Sequence, residues 1–235
     1  MNEERRNFTE QAVNKFIEFV LSRLVDAERL QVRIKCNLKQ LRRGELDGLS
    51  IQMSNLLLCP NLRVAEFQLD IGAAAVNMQN IIRRKIELIH PSEGKLRLAI
   101  DQAQLTDYLN TELANSLKDN QQEIQFNKLN CELKTDGAIA FHFTWVSAGK
   151  IQSGSYITLP QIESNGKAIS LIKQNSVGEE PPMELVNLAI EQANNILSLN
   201  DIAQRGTTFN IQQIDIDAGK ITIQANANIE QFPSA

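Results

Sequence analysis

From Leu30 onward the chain alternates apolar and polar residues: Leu30, Val32, Ile34, Cys36 and Leu38 share one phase, while Arg29, Gln31, Arg33, Lys35, Asn37 and Lys39 share the other. Neighbouring side chains on a strand point to opposite faces, so such a chain builds sheets with one apolar face. A second strand runs through Leu49, Ile51 and Met53 to a Cys59-Pro60-Asn61 turn, where proline cannot join a central ladder. A third begins with Leu62 and Val64 inward and continues with Phe67, Leu69, Ile71 and Ala73, one residue out of phase. That shift reads as a β-bulge near Ala65 and Glu66. Similar shifts fall between Phe126 and Leu129 and between Ile211 and Ile214. Bulges bend and twist the strands that carry them, so three of them predict a highly curved sheet.

The alternation is interrupted by helical periodicity. Phe8, Ala12, Val13, Phe16, Ile17, Val20, Leu21 and Leu24 recur at three and four, with Gln11, Asn14, Lys15, Glu18 and Ser22 on the other side, and Asn7 with Glu10 has capping-box spacing. This predicts a helix over about 8–25 that packs its stripe on a sheet; its polar face mixes both signs, which argues against an interfacial membrane helix. A short helix or turn over Val76 to Ile86 and a strand over Lys95 to Ile100 follow. Asp101 and Gln104 then cap a helix with the stripe Leu105, Tyr108, Leu109, Glu112, Leu113 and Leu117. A third helix starts after Pro181-Pro182, with Leu185, Val186, Ala189, Ile190, Ala193, Ile196 and Leu197 as its apolar set. Hairpins are expected at Asp136-Gly137, Asn165-Gly166 and Ala218-Gly219. No Gly/Ser linker divides the chain, so residues 1–235 read as a single α+β domain with an ordered core over about 8–230.

Aromatics make up only 5% of the residues and hydrophobics 43%, so the core must be aliphatic. Net charge is −4, divided as 17 Lys+Arg against 15 Asp+Glu over residues 1–118 and 7 against 13 over 119–235. Such a balance excludes sequence-independent nucleic-acid binding, which depends on many bases neutralising phosphates. Cys36, Cys59 and Cys131 are odd in number and widely spaced, which favours a reducing compartment. The N-terminal stretch is broken by Lys15, Glu18 and Arg23 and does not read as a signal peptide. The expectation is a cytoplasmic protein, peripheral to a membrane if it meets one.

Catalytic signatures are missing. The only histidines, His90 and His142, lie in different strands, His142 on the face opposite Phe141, Phe143 and Trp145. Gly-Lys pairs at Gly149, Gly166 and Gly219 lack the Ser/Thr of a phosphate-binding loop and read as turns. Asp215 and Asp217 share a strand face as ordinary solvated carboxylates. No cofactor, metal or catalytic residue is expected. The remaining electrostatic signal is basic: Lys35, Lys39, Arg42, Arg43, Arg83, Arg84 and Lys85 are candidate contacts for anionic headgroups, because guanidinium and ammonium groups bind phosphate oxygens. Leu30, Val32, Ile34, Ile51, Met53, Phe67, Leu69 and Ile71 are the candidate apolar lining.

Three stretches resemble the LmeA-like phospholipid-binding family: Leu30 to Asn55, with Leu46-Asp47-Gly48-Leu49-Ser50-Ile51; Gly94 to Leu113, where Leu96-Arg97-Leu98 leads into Leu105-Thr106-Asp107-Tyr108-Leu109-Asn110; and the hairpin Phe209 to Ala225. The resemblance implies non-enzymatic phospholipid binding or transfer and a tubular lipid-binding architecture in which a curved antiparallel sheet wraps a helix. It transfers no catalytic residues. The alternative is a close-packed interaction scaffold whose helices fill the sheet face and leave no cavity.

Overall fold

The computed structural model describes residues 14–15, 18–19, 21–23, 25–36, 38–75, 87–117, 124–199, 206–217 and 219–231. The predicted element over Val76 to Ile86 lies outside them, as does most of the predicted N-terminal helix, of which Asn14, Lys15, Glu18, Phe19 and Leu21 are described and helical. In chain order the strands are β1 (Arg29–Lys35), β2 (Glu45–Leu46), β3 (Gly48–Cys59), β4 (Leu62–Ile71), β5 (Ala74–Ala75), β6 (Glu87–Asp101), β7 (Ile124–Leu133), β8 (Ile139–Ser147), β9 (Lys150–Ile162), β10 (Ile169–Gly178), β11 (Thr207–Asp217) and β12 (Lys220–Gln231). The helices are α1 (Leu38–Arg43), α2 (Gln102–Leu117) and α3 (Met183–Leu197). Leu38 and Lys39, expected to prolong the first strand, instead open α1.

All pairings are antiparallel. One sheet has the order β1-β3-β4-β6-β12-β11, a second the order β10-β9-β8-β7, and β2 and β5 form a small ribbon. The fold is therefore α+β, as the mixture of periods 2 and 3.6 predicts. Both larger sheets are open and not strongly curled, so the expected high curvature is not found. One of the three phase shifts explains part of the difference. Register does slip between Phe126 and Lys128 and between Ile211 and Gln213. Near Ala65 it does not: Ser54 pairs with Glu66 and Leu56 with Val64 in one constant register. Burial there passes from Phe67 to Val64 on β4 and from Ile51 to Leu56 on β3 at the same level, around Asn55 in the left-handed region at φ 52°. Both strands invert together with no extra residue at that level, and the register of the pair shifts only beyond it, between Leu57 and Cys59 beside the hairpin turn.

The inversion has a clear structural setting. β4 pairs with β6 only over Glu66–Ile71, because β6 ends at Asp101 and turns into α2. Leu62 and Val64 thus run past the end of β6 and are fully buried. β6 itself is longer than predicted, extending back through His90 and Pro91, and its register against β12 shifts between Ile229 and Gln231. That irregularity accommodates a proline inside a central strand.

Helices cover the sheet edges through a repeated hydrogen-bonding scheme. On α2, Gln102 Oε1 accepts the Leu133 amide at 2.9 Å, Thr106 Oγ1 the Cys131 amide at 3.1 Å, and Asn110 Oδ1 the Leu129 amide at 2.8 Å while its Nδ2 donates to the Leu129 carbonyl at 2.7 Å. On α3, Asn194 Oδ1 accepts from Leu171, and Ser198 at the C-cap accepts the Ile169 amide at 3.1 Å. At the N-terminus Asn14 Oδ1 takes the Ile34 amide and Glu18 Oε1 the Val32 amide, each at 2.9 Å. A helical step of four residues rises about 6.0 Å and a strand step of two about 6.7 Å, so side chains at i and i+4 meet successive outward amides of an antiparallel strand. Asn14 and Glu18 therefore occupy a strand edge, where the periodicity assigned them to the polar side of a helix.

The fourth edge, β11, meets the β9–β10 turn. The Ile211 amide donates to the Gly166 carbonyl at 2.6 Å, and Asn210 Nδ2 donates to the Asn165 carbonyl. Gly166 has φ +67°, and a Cβ there would lie 2.5 Å from the Asn210 side chain, so both conformation and space select glycine. A second close approach joins β9 to the segment entering α3: a Cβ on Gly154 would stand 1.7 Å from the Glu179 carbonyl oxygen.

Asn110→Ala, which strips partners from the Leu129 amide and carbonyl, is expected to lower unfolding free energy in urea by about 1–3 kcal/mol. Thr111→Ala on the exposed side of α2 should change it by less than about 0.5 kcal/mol. Gly154→Ala should be the more damaging of the glycine substitutions, because the obstructing atom is backbone; Gly137→Ala, with nothing within 4 Å of the added methyl, should cost only the strain of its φ of +86°, about 1–2 kcal/mol.

Candidate functional site

The apolar candidates come together on three adjacent strands. Register places Leu30, Met53 and Phe67 in one row, Val32, Ile51 and Leu69 in the next, and Ile34, Leu49 and Ile71 in a third. The rows continue across the sheet. Leu98, Ile223 and Ile214 extend the first, Leu96, Ala225 and Ile211 the second, and Gly94, Ala227 and Phe209 the third. Five strand spacings make this floor about 24 Å wide, and three rows make it about 13 Å long. Its β6, β11 and β12 half was not among the sequence candidates, although the alternation Ile221, Ile223, Ala225, Ala227, Ile229 carries the same signal.

Within this structure the floor is packed. Val32, Ile34, Ile51, Phe67, Leu69 and Ile71 are all buried, Leu30 and Met53 partly buried, and one contiguous core joins them to Leu105, Leu109 and Leu113 of α2 and Val186, Ile190 and Leu197 of α3. Beside this core, a depression of about 470 Å³, open to solvent, lies between α2 and the β7 bulge and is lined by Asn110, Thr111, Ala114, Asn115, Phe126 and Asn127. It bears no charged group and is too open to enclose most of a ligand's surface, as small-molecule sites do.

Four of the basic candidates fall on β1 and α1. Lys35 ends β1 with its side chain exposed, and Lys39 and Arg43 are exposed on α1. The Arg42 side chain and Arg83, Arg84 and Lys85 lie outside the described residues. Arg63 pairs with Asp26 at 2.8 Å, and Lys220 with Glu66 at 3.2 Å and Asp101 at 3.8 Å.

His142 takes part in a constellation the sequence did not reveal. Its Nδ1 is 2.6 Å from Ser155 Oγ and its Nε2 is 2.9 Å from Glu132 Oε2, giving a Ser-His-Glu chain across β9, β8 and β7. Phe141, Phe143 and Trp145 occupy the buried side, as their alternation with His142 predicts. The triad geometry is incomplete as a catalyst. It lies flat on the outer face of a paired sheet, His142 sits opposite Ser155 in the β8–β9 register, and the surrounding backbone amides are spent in the ladders rather than turned toward an oxyanion. His90 is exposed on β6.

Among the described residues no three His, Cys, Asp or Glu side chains are grouped to hold a metal, and Asp215 accepts hydrogen bonds from Gln213. Among the same residues no helix is long and apolar enough to cross a membrane. Burial pushes the Cys131 thiol up to about 12, partly offset by its hydrogen bond with Thr106. Cys36 is also buried, and Cys59 is half-buried.

An aliphatic floor thus crosses six antiparallel strands and is backed by helices. The family model described as LmeA-like phospholipid-binding matches residues 6–226, and the chain belongs to that family. This is a phospholipid-binding family rather than a known family of enzymes. No curated protein and no solved structure matches the chain.

In the native protein Cys59 should alkylate first, and Cys36 and Cys131 only on unfolding, as peptide mass spectrometry will show. The Cys131 pKa is raised from 9.0, so folding keeps a proton there that the unfolded chain releases. Its contribution to stability is complete below pH 9.0 and lost as pH rises toward about 12, a dependence that Cys131→Ala should remove from alkaline unfolding curves.

Proposed function

We propose that the protein binds phospholipid without catalysing a reaction on it and carries the acyl chains against the aliphatic floor of the six-stranded sheet. The observation that carries this reading is membership of a phospholipid-binding family over residues 6–226. The dimensions support it. One leaflet of a bilayer is about 15 Å of hydrocarbon, and the floor offers about 24 Å across its strands.

The energetics support it as well. An acyl chain gains roughly 0.8 kcal/mol per CH₂ on leaving water, but a bilayer already supplies that gain. A carrier therefore needs an interior only about as apolar as lipid, which Leu, Ile, Val and Ala side chains provide. Because those side chains fill the floor here, a bound chain must displace the covering helices from part of it. Curvature of the sheet around the ligand belongs to this reading, and so do transfer between membranes and a peripheral location at a cytoplasmic membrane surface.

The filled interior also favours a second reading, a close-packed scaffold whose helices permanently occupy the sheet face. Organic extraction of the purified protein followed by mass spectrometry separates the two. The first predicts co-purifying phospholipid, whereas no extracted lipid and no uptake from phospholipid vesicles would establish the second. If the floor holds acyl chains, Leu30→Gln with Met53→Gln, at the partly exposed start of the first row, should lower lipid retention several-fold while costing about 1–3 kcal/mol of stability.

A further inference from the structure

The outward face of β1 differs from that of β3, its neighbour in the sheet. Arg29, Arg33 and Lys35 are exposed there, and no carboxylate pairs with any of them among the described residues. Their partners across the β3 register are Ser54, Ser50 and Gly48, so the adjacent strand supplies no countercharge. Of the nearby acids, Glu18 holds the Val32 amide, Asp26 pairs with Arg63, and Asp47 accepts from Gln40. Further across the same sheet Arg97 and Lys220 both face Glu66.

An exposed aromatic adjoins this stripe. Phe19 is 56% exposed, follows the Glu18 that holds the β1 edge, and carries the Arg23 guanidinium 4.5 Å from its ring centroid. Three unpaired cations and an aromatic suit an interface between water and lipid headgroups, where bases meet phosphates and rings sit at the boundary. The protein is acidic as a whole, at −4, but exposed charges more than about 10 Å away are largely screened at moderate salt. Arg33 and Lys35, about 6.7 Å apart on one strand face, lie within that range.

We propose that this edge, the outer face of β1 with Phe19 beside it, docks on an anionic phospholipid bilayer. The proposal deepens the phospholipid-binding reading and rests on it for the choice of a membrane as the occupant. It assigns docking to Arg29 and Arg33 along with Lys35, and makes β1 bifunctional: its inner residues join the apolar floor, and its outer residues hold the membrane from which lipid would come.

Vesicle co-sedimentation of the full chain tests it, using phosphatidylcholine vesicles with and without phosphatidylglycerol. The wild type should bind only the phosphatidylglycerol vesicles and be released by added salt. Arg29→Gln/Arg33→Gln/Lys35→Gln should bind them roughly a hundredfold more weakly, since each base adds about 1 kcal/mol. Phe19→Ser should weaken binding several-fold, and Ile151→Ser, at a still more exposed aliphatic side chain on β9, should leave it unchanged. Retained binding by the triple variant, or equal wild-type binding to both vesicle types, overturns the proposal; the wild-type salt titration decides even if the triple variant does not fold. Lipid extraction separates the two readings. Wild type that carries phospholipid yet ignores anionic vesicles overturns docking alone, whereas salt-sensitive docking by protein with no extractable lipid upholds docking and overturns the carrier reading.

Discussion

The hydrogen bonds from helix side chains to strand-edge amides are the constraint on which the architecture depends. An exposed edge presents a row of unpaired donors and acceptors and invites another strand. Here β1, β7 and β10 each meet a helical segment instead, through Asn14 and Glu18, through Gln102, Thr106 and Asn110, and through Asn194 and Ser198. The near match between four helical residues and two strand residues makes this possible. It also fixes where each helix can lie. Once α2 is registered on β7, its apolar side falls on the core, and Leu105, Leu109 and Leu113 are fully buried.

Fold class and most elements were legible in the residues because they depend on local periodicity. The hairpins, α2 and α3 follow from turn chemistry and spacing, and two of the three phase shifts are register shifts. The third misled because burial phase alone cannot distinguish an extra residue in one strand from a simultaneous inversion in two. Only the pairing of Leu56 with Val64 decides it. Edge-capping residues were hidden for a related reason. A polar residue on the non-apolar side of a helix reads as solvent-facing until the strand beside it is known, and that strand can be distant in sequence, as Leu133 is from Gln102.

The candidate site was legible on one side of the sheet. Leu30, Val32, Ile34, Ile51, Met53, Phe67, Leu69 and Ile71 do share neighbouring rows, since three early strands pair in succession around Leu49. The other half needed the C-terminal hairpin to return beside β6, a long-range pairing no local pattern specifies. The Ser155-His142-Glu132 chain shows the complementary lesson. Hydrogen-bond geometry alone brings catalytic residue types together, but on a flat paired sheet it lacks donors for developing negative charge.

Because β12 pairs with β6 from Lys220 opposite Asp101 to Gln231 opposite Glu87, the four-stranded sheet and α3 are nested inside the sequence between two strands of the larger sheet. The order of assembly during synthesis follows from this nesting. β7 through β10 form a meander of neighbours and can close early, whereas β6 waits with one flank unpaired for more than a hundred residues of chain to emerge. Long-range strand pairing is slow and leaves the waiting edge open to aggregation. The last hairpin therefore completes the larger sheet, and until it emerges one edge of β6 stays open.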